Sequence, residues 1–591
     1  MNQAARRKRA EEYIELSGLT DEQRAVCDRF LETDDSFVVR ACPGSGKTRT
    51  AGALFACAMV LHERRHSGVA TVSYSNVAWR EVSAQLGRLA RPTVPAWPHF
   101  LGTIHRFVNR HLALPFGHIP MGIGAKRLEI MGPSSEAWVK TALHVNAVAA
   151  YSPLAGCYRK GCNASNLTYD RHGNPRRTIP RKQPRCDQEH CLSVKKRMVE
   201  SGYANDDDSM YWGMRSLELQ GIAAAVATRF PVIIVDEAQD TSDVQMAIIE
   251  QLADAGARLI VIGDPDQAIY EFNGARPELF VALAEKWPRL GFAGTFRCSQ
   301  LISKATQRFS SMETPMSAVG DAADCGTRPT VVRYRREQAA DLPGAFVERA
   351  KSAGIAEDSC VLLARGTGLV GEMQGGGAWP KGPGSETRRL ARAAILCDLG
   401  EFGDAHQEVM RSVLRMGYDT EAMGANYETV KKVGIRRFRR ETWALLRNLP
   451  STDLTLHDWA QQLRPPVAAC LDRLGIVPPV NLRQSFLKGS KCQDALATVV
   501  ELRGHTRGVL CKTVHQAKGE TFDAVMVACR KQDIGRWLKP TKAGAEDQRI
   551  GYVAMTRARR ILVLAVPEDT AQKHLDEFAE HFDIEEGVLP E

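Results

Sequence analysis

Apolar positions cluster in short unbroken runs rich in Val, Ile and Leu, and each run ends at a turn or a helix start. Four lie in one region: SFVVRAC (36–42), VATVSYSN (69–76), FPVIIVDEAQD (230–240) and ARLIVIGDPDQ (257–267). Five lie in a second: RPTVVRYR (328–335), SCVLLAR (359–365), VLCKTVHQAKG (509–519), FDAVMVAC (522–529) and ILVLAVP (561–567). Runs that are apolar on both faces belong to parallel strands covered by helices. The pattern predicts an α/β fold with two doubly wound parallel-sheet cores. Each core is interrupted. Residues 109–209 bring Cys, Arg, Pro and Asn into the first. The Gly/Pro-rich stretch MQGGGAWPKGPGS (373–385) opens a helical periodicity in the second. The expected organisation is a first core of residues 1–108 and 210–290 with an insertion at 109–209. A second core of 291–368 and 506–570 follows, with a mainly helical insertion at 369–505 and a short acidic tail at 571–591.

The turn after the first run carries the first chemistry. Ala41, Cys42, Pro43, Gly44, Ser45, Gly46, Lys47 and Thr48 match G-x-x-x-x-G-K-[ST] with alanine at the leading glycine. A strand precedes it and a helical stretch follows. Glycines let backbone N–H groups converge on phosphate oxygens, and the helix start adds partial positive charge. Lys47 would reach the β- and γ-phosphates of a nucleotide, and Thr48 would hold Mg²⁺. Asp236 and Glu237 end another apolar run. Adjacent carboxylates there suit a second Mg²⁺ ligand, Asp236, and a group polarising the attacking water, Glu237. Together the motifs predict a nucleotide triphosphatase.

Further motifs follow in order, and with them the chain resembles the superfamily 1A DNA helicases of the UvrD/Rep/PcrA type. LTDEQRAV resembles the family's adenine-reading motif, with Gln23 on the adenine edge. The resemblance extends the nucleotide contacts through Gly44, Ser45, Gly46 and Arg49. TVSYSNVAWREV and GTIHRF resemble DNA motifs, which implies DNA contacts by Tyr74, Asn76, Thr103 and His105. IGDPDQAIYEFNGA implies that Asp264 and Gln267 sense the γ-phosphate, with Tyr270 and Phe272 facing DNA. GTFRCSQLI implies Phe296 stacked on adenine and Arg297 at the γ-phosphate. TVHQAKGETFDAV implies a nucleotide-to-DNA link around His515, Lys518 and Gly519, and GYVAMTRARR implies Arg557 as a second arginine finger with Tyr552 nearby. The resemblance thus implies two RecA-like cores hydrolysing ATP between them, catalytic roles for Glu237, Gln267, Arg297 and Arg557, and 3′→5′ movement on single-stranded or tailed duplex DNA, in repair or a related process. Departures exist. Glu520 and Thr521 stand where the family has leucine and then a ribose-binding glutamate. Glu271 and Asn273 replace arginines flanking the DNA aromatic, and Trp79 replaces a small residue.

Composition adds three points. Fifteen cysteines without an apolar leader argue for thiols or metal ligands over disulfides. Cys157, Cys162, Cys186 and Cys191 form C-x4-C pairs 23 residues apart, which suits a Cys₄ zinc site, with His190 a substitute ligand and an iron–sulfur cluster the lesser option. A formal net charge of +9 favours a polyanionic partner. Without an apolar run of membrane-spanning length, the expected location is the cytoplasm. No fused nuclease pattern stands out. A second functional reading is a nucleotide-gated DNA-binding regulator of a separate nuclease subunit, because the chain somewhat resembles the UvrD-like subunits of anti-phage systems such as Gabija.

Overall fold

The computed structural model describes residues 3–62, 66–74, 76–88, 97–124, 126–130, 167–176, 189–374, 385–398, 400–417, 434–476, 487, 492–493, 495–496, 509–538 and 545–589. Two six-stranded sheets organise them. The first contains β1 (Phe37–Ala41), β2 (Val69–Ser73), β3 (Phe100–Thr103), β4 (Val232–Asp236), β5 (Arg258–Gly263) and β6 (Arg289–Phe292). Its order is β6-β1-β5-β4-β2-β3, and every pairing is parallel. The second contains β7 (Thr330–Tyr334), β8 (Cys360–Ala364), β9 (Leu510–Thr513), β10 (Phe522–Ala528), β11 (Ala558–Pro567) and β12 (Asp583–Leu589), in the order β9-β8-β10-β11-β7-β12, again all parallel.

Burial explains the composition of these strands. β2, β4 and β8 are buried at every position, which requires helices on both faces. One apolar cluster of the first core joins Val38, Ile233 and Val261 to Phe107, Met210 and Ile248. Another, on the opposite face, joins Val39, Ile234 and Ile262 to Leu54, Phe55 and Phe30. The strands are in register so that their carboxyl ends align: Ser73 stands beside both Thr103 and Asp236, and Arg40 beside Gly263. In open parallel sheets, ligands bind outside that edge.

The cores extend beyond the boundaries expected from sequence. The helix Asp206–Leu217 crosses the 209/210 boundary and packs on the first core through Met210, Tyr211 and Met214. Its Gly213 allows this approach, since a Cβ there would lie 2.4 Å from Val108 Cγ1. Strand β6 carries the first sheet on to Phe292. The stretch expected as an acidic tail is instead part of the second core. The helix Gln572–Phe578 buries Leu575 and Phe578, and β12 pairs with β7. Its charges point outward, and Arg349 binds Glu585 through two hydrogen bonds of 2.9 and 2.6 Å.

The second insertion is helical among the described residues, with Leu390, Val409, Phe438, Trp459 and Leu471 in one cluster. In the first insertion the described parts include the helical turns Asn109–Ala113 and Leu114–Phe116, the helix Glu189–Glu200, a short parallel pair (Glu129–Ile130 with Tyr203–Ala204) and a hairpin (Thr168–Tyr169 with Pro175–Arg176). Cys157, Cys162 and Cys186 lie outside the described residues, as do the side chains of His190 and Cys191. Among the described residues no helix is long and apolar enough to cross a membrane.

Phe578 is 2% exposed within the second core. Replacing it with alanine should lower denaturation stability by about 3–5 kcal/mol, as for other buried aromatics. Urea unfolding checks this, and a loss below about 0.5 kcal/mol would mean that the segment does not pack as described.

Candidate active site

β1 ends in a loop that turns into the helix Lys47–His62. Gly44 and Gly46 have φ of 73° and 78°, a backbone region open to glycine. Space demands glycine too. A Cβ on Gly44 would lie 2.5 Å from Arg297 Cβ, and one on Gly46 would lie 2.4 Å from Gln23 Nε2. The second core grips this loop from the far side. The Phe296 N–H donates to Gly44 O at 2.9 Å and the Thr295 hydroxyl donates to Pro43 O at 2.7 Å. Phe296 and Arg297 are thereby fixed against the loop of the other core.

A cavity of about 490 Å³ lies between the cores. Its wall includes Gly44, Ser45, Gly46, Lys47, Thr48 and Arg49 of the loop, Glu237 and Gln267 of the first core, and Phe296, Arg297, Gly519 and Arg557 of the second. The residues expected to act on a triphosphate are therefore brought together. Lys47 is 8% exposed; among the described residues its Nζ has no hydrogen-bond partner, and it lies 3.8 Å from Asp264. Asp236 lies beneath the wall, and the Thr48 hydroxyl donates to its Oδ2 at 3.5 Å. A half-buried hydroxyl beside a buried carboxylate, at a cavity wall that also carries the Lys47 ammonium, fits Mg²⁺ bound to phosphate.

Electrostatics are set by burial. Arg557 is fully buried, and desolvation together with the neighbouring Arg297 lowers its pKa to about 9. Desolvation lowers that of Arg297 as well. Burial opposes the charge on Glu237, but Lys47, Lys518, the Gln239 amide and Arg557 outweigh it and hold its pKa below the usual carboxylate value. Burial and the adjacent Glu237 push Asp236 upward. Arg557 Nη2 donates to Gln267 Oε1 at 3.1 Å, and Gln267 Nε2 donates to Asp264 Oδ2 at 2.5 Å.

Two expectations come out differently. Gln23 is buried behind the loop, off the cavity wall. It completes a capping box with Thr20 and donates to Ser45 O at 2.7 Å, so its amide is held by protein at both ends. Arg49 lines the cavity, but its guanidinium is committed to Ser17 O at 3.0 and 2.6 Å. Glu520 faces away and pairs with Lys512 at 2.8 Å, while Thr521 lines the cavity where the resemblance implied a glutamate. The sequence reading also missed Glu81 and Gln85, which line the wall from the helix Asn76–Arg88. Their i, i+4 spacing puts them on one helix face, but nothing local says that this face meets the loop.

Beside the cavity runs a series of rings. Tyr74 stacks on Tyr270 (centroids 5.6 Å apart, 28°), Phe272 lies 6.0 Å from Tyr270, and His515 of the second core meets Phe272 at 5.2 Å. Thr103 accepts the Arg106 N–H and caps its own helix; His105 follows it, with its pKa lowered by burial. Asn76 opens the helix Asn76–Arg88, and its side chain lies outside the described residues. Tyr552 is buried away from the wall, its hydroxyl on Met316 Sδ. Glu271, in place of a family arginine, pairs with Arg549. Lys518 joins cavity and rings: its ammonium binds Asp240 and Gln267 O and lies 4.6 Å from the Tyr270 ring centroid.

The family model for the UvrD/REP helicase N-terminal domain matches residues 19–288, and that for the UvrD-like helicase C-terminal domain matches residues 491–569. The chain is similar to the ATP-dependent DNA helicase Rep of Escherichia coli, 43% identical over 58 residues that cover 10% of this chain and 9% of Rep. It is similar to the RecBCD enzyme subunit RecB of E. coli, 40% identical over 83 residues covering 14% and 7%. These stretches span less than a tenth of either relative's own length. YjcD of Bacillus subtilis is 24% identical over 94% of this chain and 79% of its own.

Gly44→Ala tests the loop geometry. The added methyl meets Arg297 and the positive φ strains it, at roughly 1–3 kcal/mol. Affinity for a fluorescent ATP analogue should fall about tenfold or more in a protein that stays folded by circular dichroism. Unchanged affinity would contradict the described contact.

Proposed function

Since this chain belongs to the UvrD-like superfamily 1 helicases, we propose that it is an ATP-driven DNA translocase and helicase moving 3′→5′. One observation carries the reading: Arg297 and Arg557 of the second core face Lys47 of the first across a single cavity. Neither core alone can neutralise a triphosphate there. Arginines delivered from across a cleft are worth about 10³–10⁵ in rate for phosphoryl transfer, and only while the cleft is closed. Hydrolysis is then coupled to the relative position of the cores.

Each residue has a task in this reading. The loop N–H groups and Lys47 bind the phosphates, and Phe296 packs against the base. Thr48 and Asp236 would hold Mg²⁺, which offsets phosphate charge when bound. Glu237 accepts a proton from the attacking water, and Gln267 lies between Arg557 and Asp264 to register the γ-phosphate. Single-stranded DNA runs over Tyr74, Tyr270 and Phe272, where stacking supplies about 1–3 kcal/mol per base. His515 and Lys518, from the second core, let the rings respond to cleft closure. The cytoplasm and DNA repair suit this activity.

One feature favours the second reading, a DNA-binding regulator of a separate nuclease in anti-phage defence. Glu271 brings negative charge beside the DNA rings, and its pairing with Arg549 removes that arginine as a phosphate contact. The paired cysteines at 157, 162, 186 and 191 support zinc by spacing alone.

Two measurements test these proposals. ATP hydrolysis should rise with single-stranded DNA, a 3′-tailed duplex should be displaced and a 5′-tailed one should not, and Glu237→Gln should lower kcat by about 10²–10⁴. Stimulated hydrolysis without displacement supports the regulator, and hydrolysis indifferent to DNA contradicts both readings. Elemental analysis of the purified chain should find about one zinc per molecule; absence of both zinc and iron contradicts the metal site.

A further inference from the structure

Gln239 is wholly buried and does not touch the cavity, yet both ends of its amide are bonded to the catalytic machinery. It lies on the short turn Ala238–Asp240, two residues beyond Glu237. Its Oε1 accepts the backbone N–H of Asp264 at 3.0 Å, and its Nε2 donates to Glu237 Oε2. Burying an amide costs free energy unless its polar atoms are paired, and an apolar side chain of that size would fill the space without that requirement. What the amide adds is direction. Room for it comes from Gly263, where a Cβ would lie 2.9 Å from Gln239 Oε1.

The carboxylate that it holds is itself in an unusual position. Among the described residues Glu237 is the one non-glycine with positive φ (54°, with ψ 42°). Such backbone persists only where its surroundings fix it. Glu237 N also donates to Asp236 Oδ1 at 2.9 Å, so the turn is anchored at both ends. Beyond Asp264 the connection continues through Gln267 to Arg557. A buried series of hydrogen bonds thus joins the carboxylate of one core to the arginine of the other.

We propose that Gln239 is a positioning residue for hydrolysis, holding Glu237 Oε2 so that Oε1 faces the attacking water. The inference rests on the reading of this cavity as an ATP hydrolase. In the step that it serves, Oε1 takes the water proton, the water oxygen bonds to the γ-phosphorus, and the bond from that phosphorus to the bridging oxygen breaks. Gln239 touches neither water nor nucleotide and acts only through Glu237.

The test is a double-mutant comparison by single-turnover hydrolysis. Gln239→Leu should lower the rate about 10–100-fold and leave KM for ATP and the affinity for a non-hydrolysable ATP analogue within twofold. Gln239→Met is close in size but has no amide to accept from Asp264 N–H or to donate to Glu237, so it should lose rate as Gln239→Leu does. It also supplies the comparison should the leucine variant not fold. In a Glu237→Gln background either substitution should change the rate less than twofold. A wild-type rate in Gln239→Leu, a loss of the same size in the Glu237→Gln background, or a matching rise in KM would overturn the proposal. Wild-type protein without Glu237-dependent hydrolysis overturns the parent reading, and this one with it.

Discussion

Three cations converge on one cavity from two separately folded cores, and the rest of the structure answers to that. Lys47 and Arg557 are buried, Arg297 is half-buried, and each of the two arginines has its pKa lowered by desolvation. Like charges at close range in a poorly hydrated site repel one another. Asp236, Glu237 and Asp264 offset some of this, and Asp264 is itself pushed up to about 6 by burial. A polyanion that bridges both cores relieves the repulsion; a smaller anion on one side cannot. The cavity therefore suits a ligand with several negative charges in a row, met by cations of both cores.

Fold and site depend on each other through the loop. The Gly44 carbonyl and the Pro43 carbonyl accept hydrogen bonds from the second core, and Cys42 and Ile269 of the first join the second core's apolar cluster. Movement between the cores must therefore disturb the phosphate loop. The same holds at the rings. Lys518 binds Asp240 and reaches the Tyr270 ring, while His515 Nε2 donates to Ile269 O, 3.0 Å away. The cavity wall and the ring contacts share these side chains, so the two are joined without a long route between them.

Much of this was legible in the chain. Strands buried on both faces announce themselves as unbroken apolar runs, and all nine runs named from sequence lie on or next to the two sheets. The glycine loop and the Asp236–Glu237 pair are local signals with fixed spacing, and they fall where expected. What was missed depends on contacts between distant segments. Gln23 reads as a nucleotide contact, but the Thr20 capping box and Ser45 O hold its amide. Glu81 and Gln85 reach the wall only because of where their helix packs. Residues 571–591 read as an acidic tail because net charge is visible in sequence, while Leu575 and Phe578 become core only once β12 finds β7. Glu520 and Thr521 showed the converse: a one-residue change in order was visible, and the structure assigns the wall position to Thr521.

The central claim is that cations from both cores close on one triphosphate. Distance measurement by pulsed electron resonance tests it most directly, with spin labels on unnatural amino acids at the exposed positions Asp254 and Lys573, one in each core. With ADP and aluminium fluoride the distribution should narrow to a single closed distance in wild-type protein and stay broad in Arg557→Ala, although both bind the nucleotide. A distribution that ignores the nucleotide, or that narrows equally without Arg557, would contradict the account.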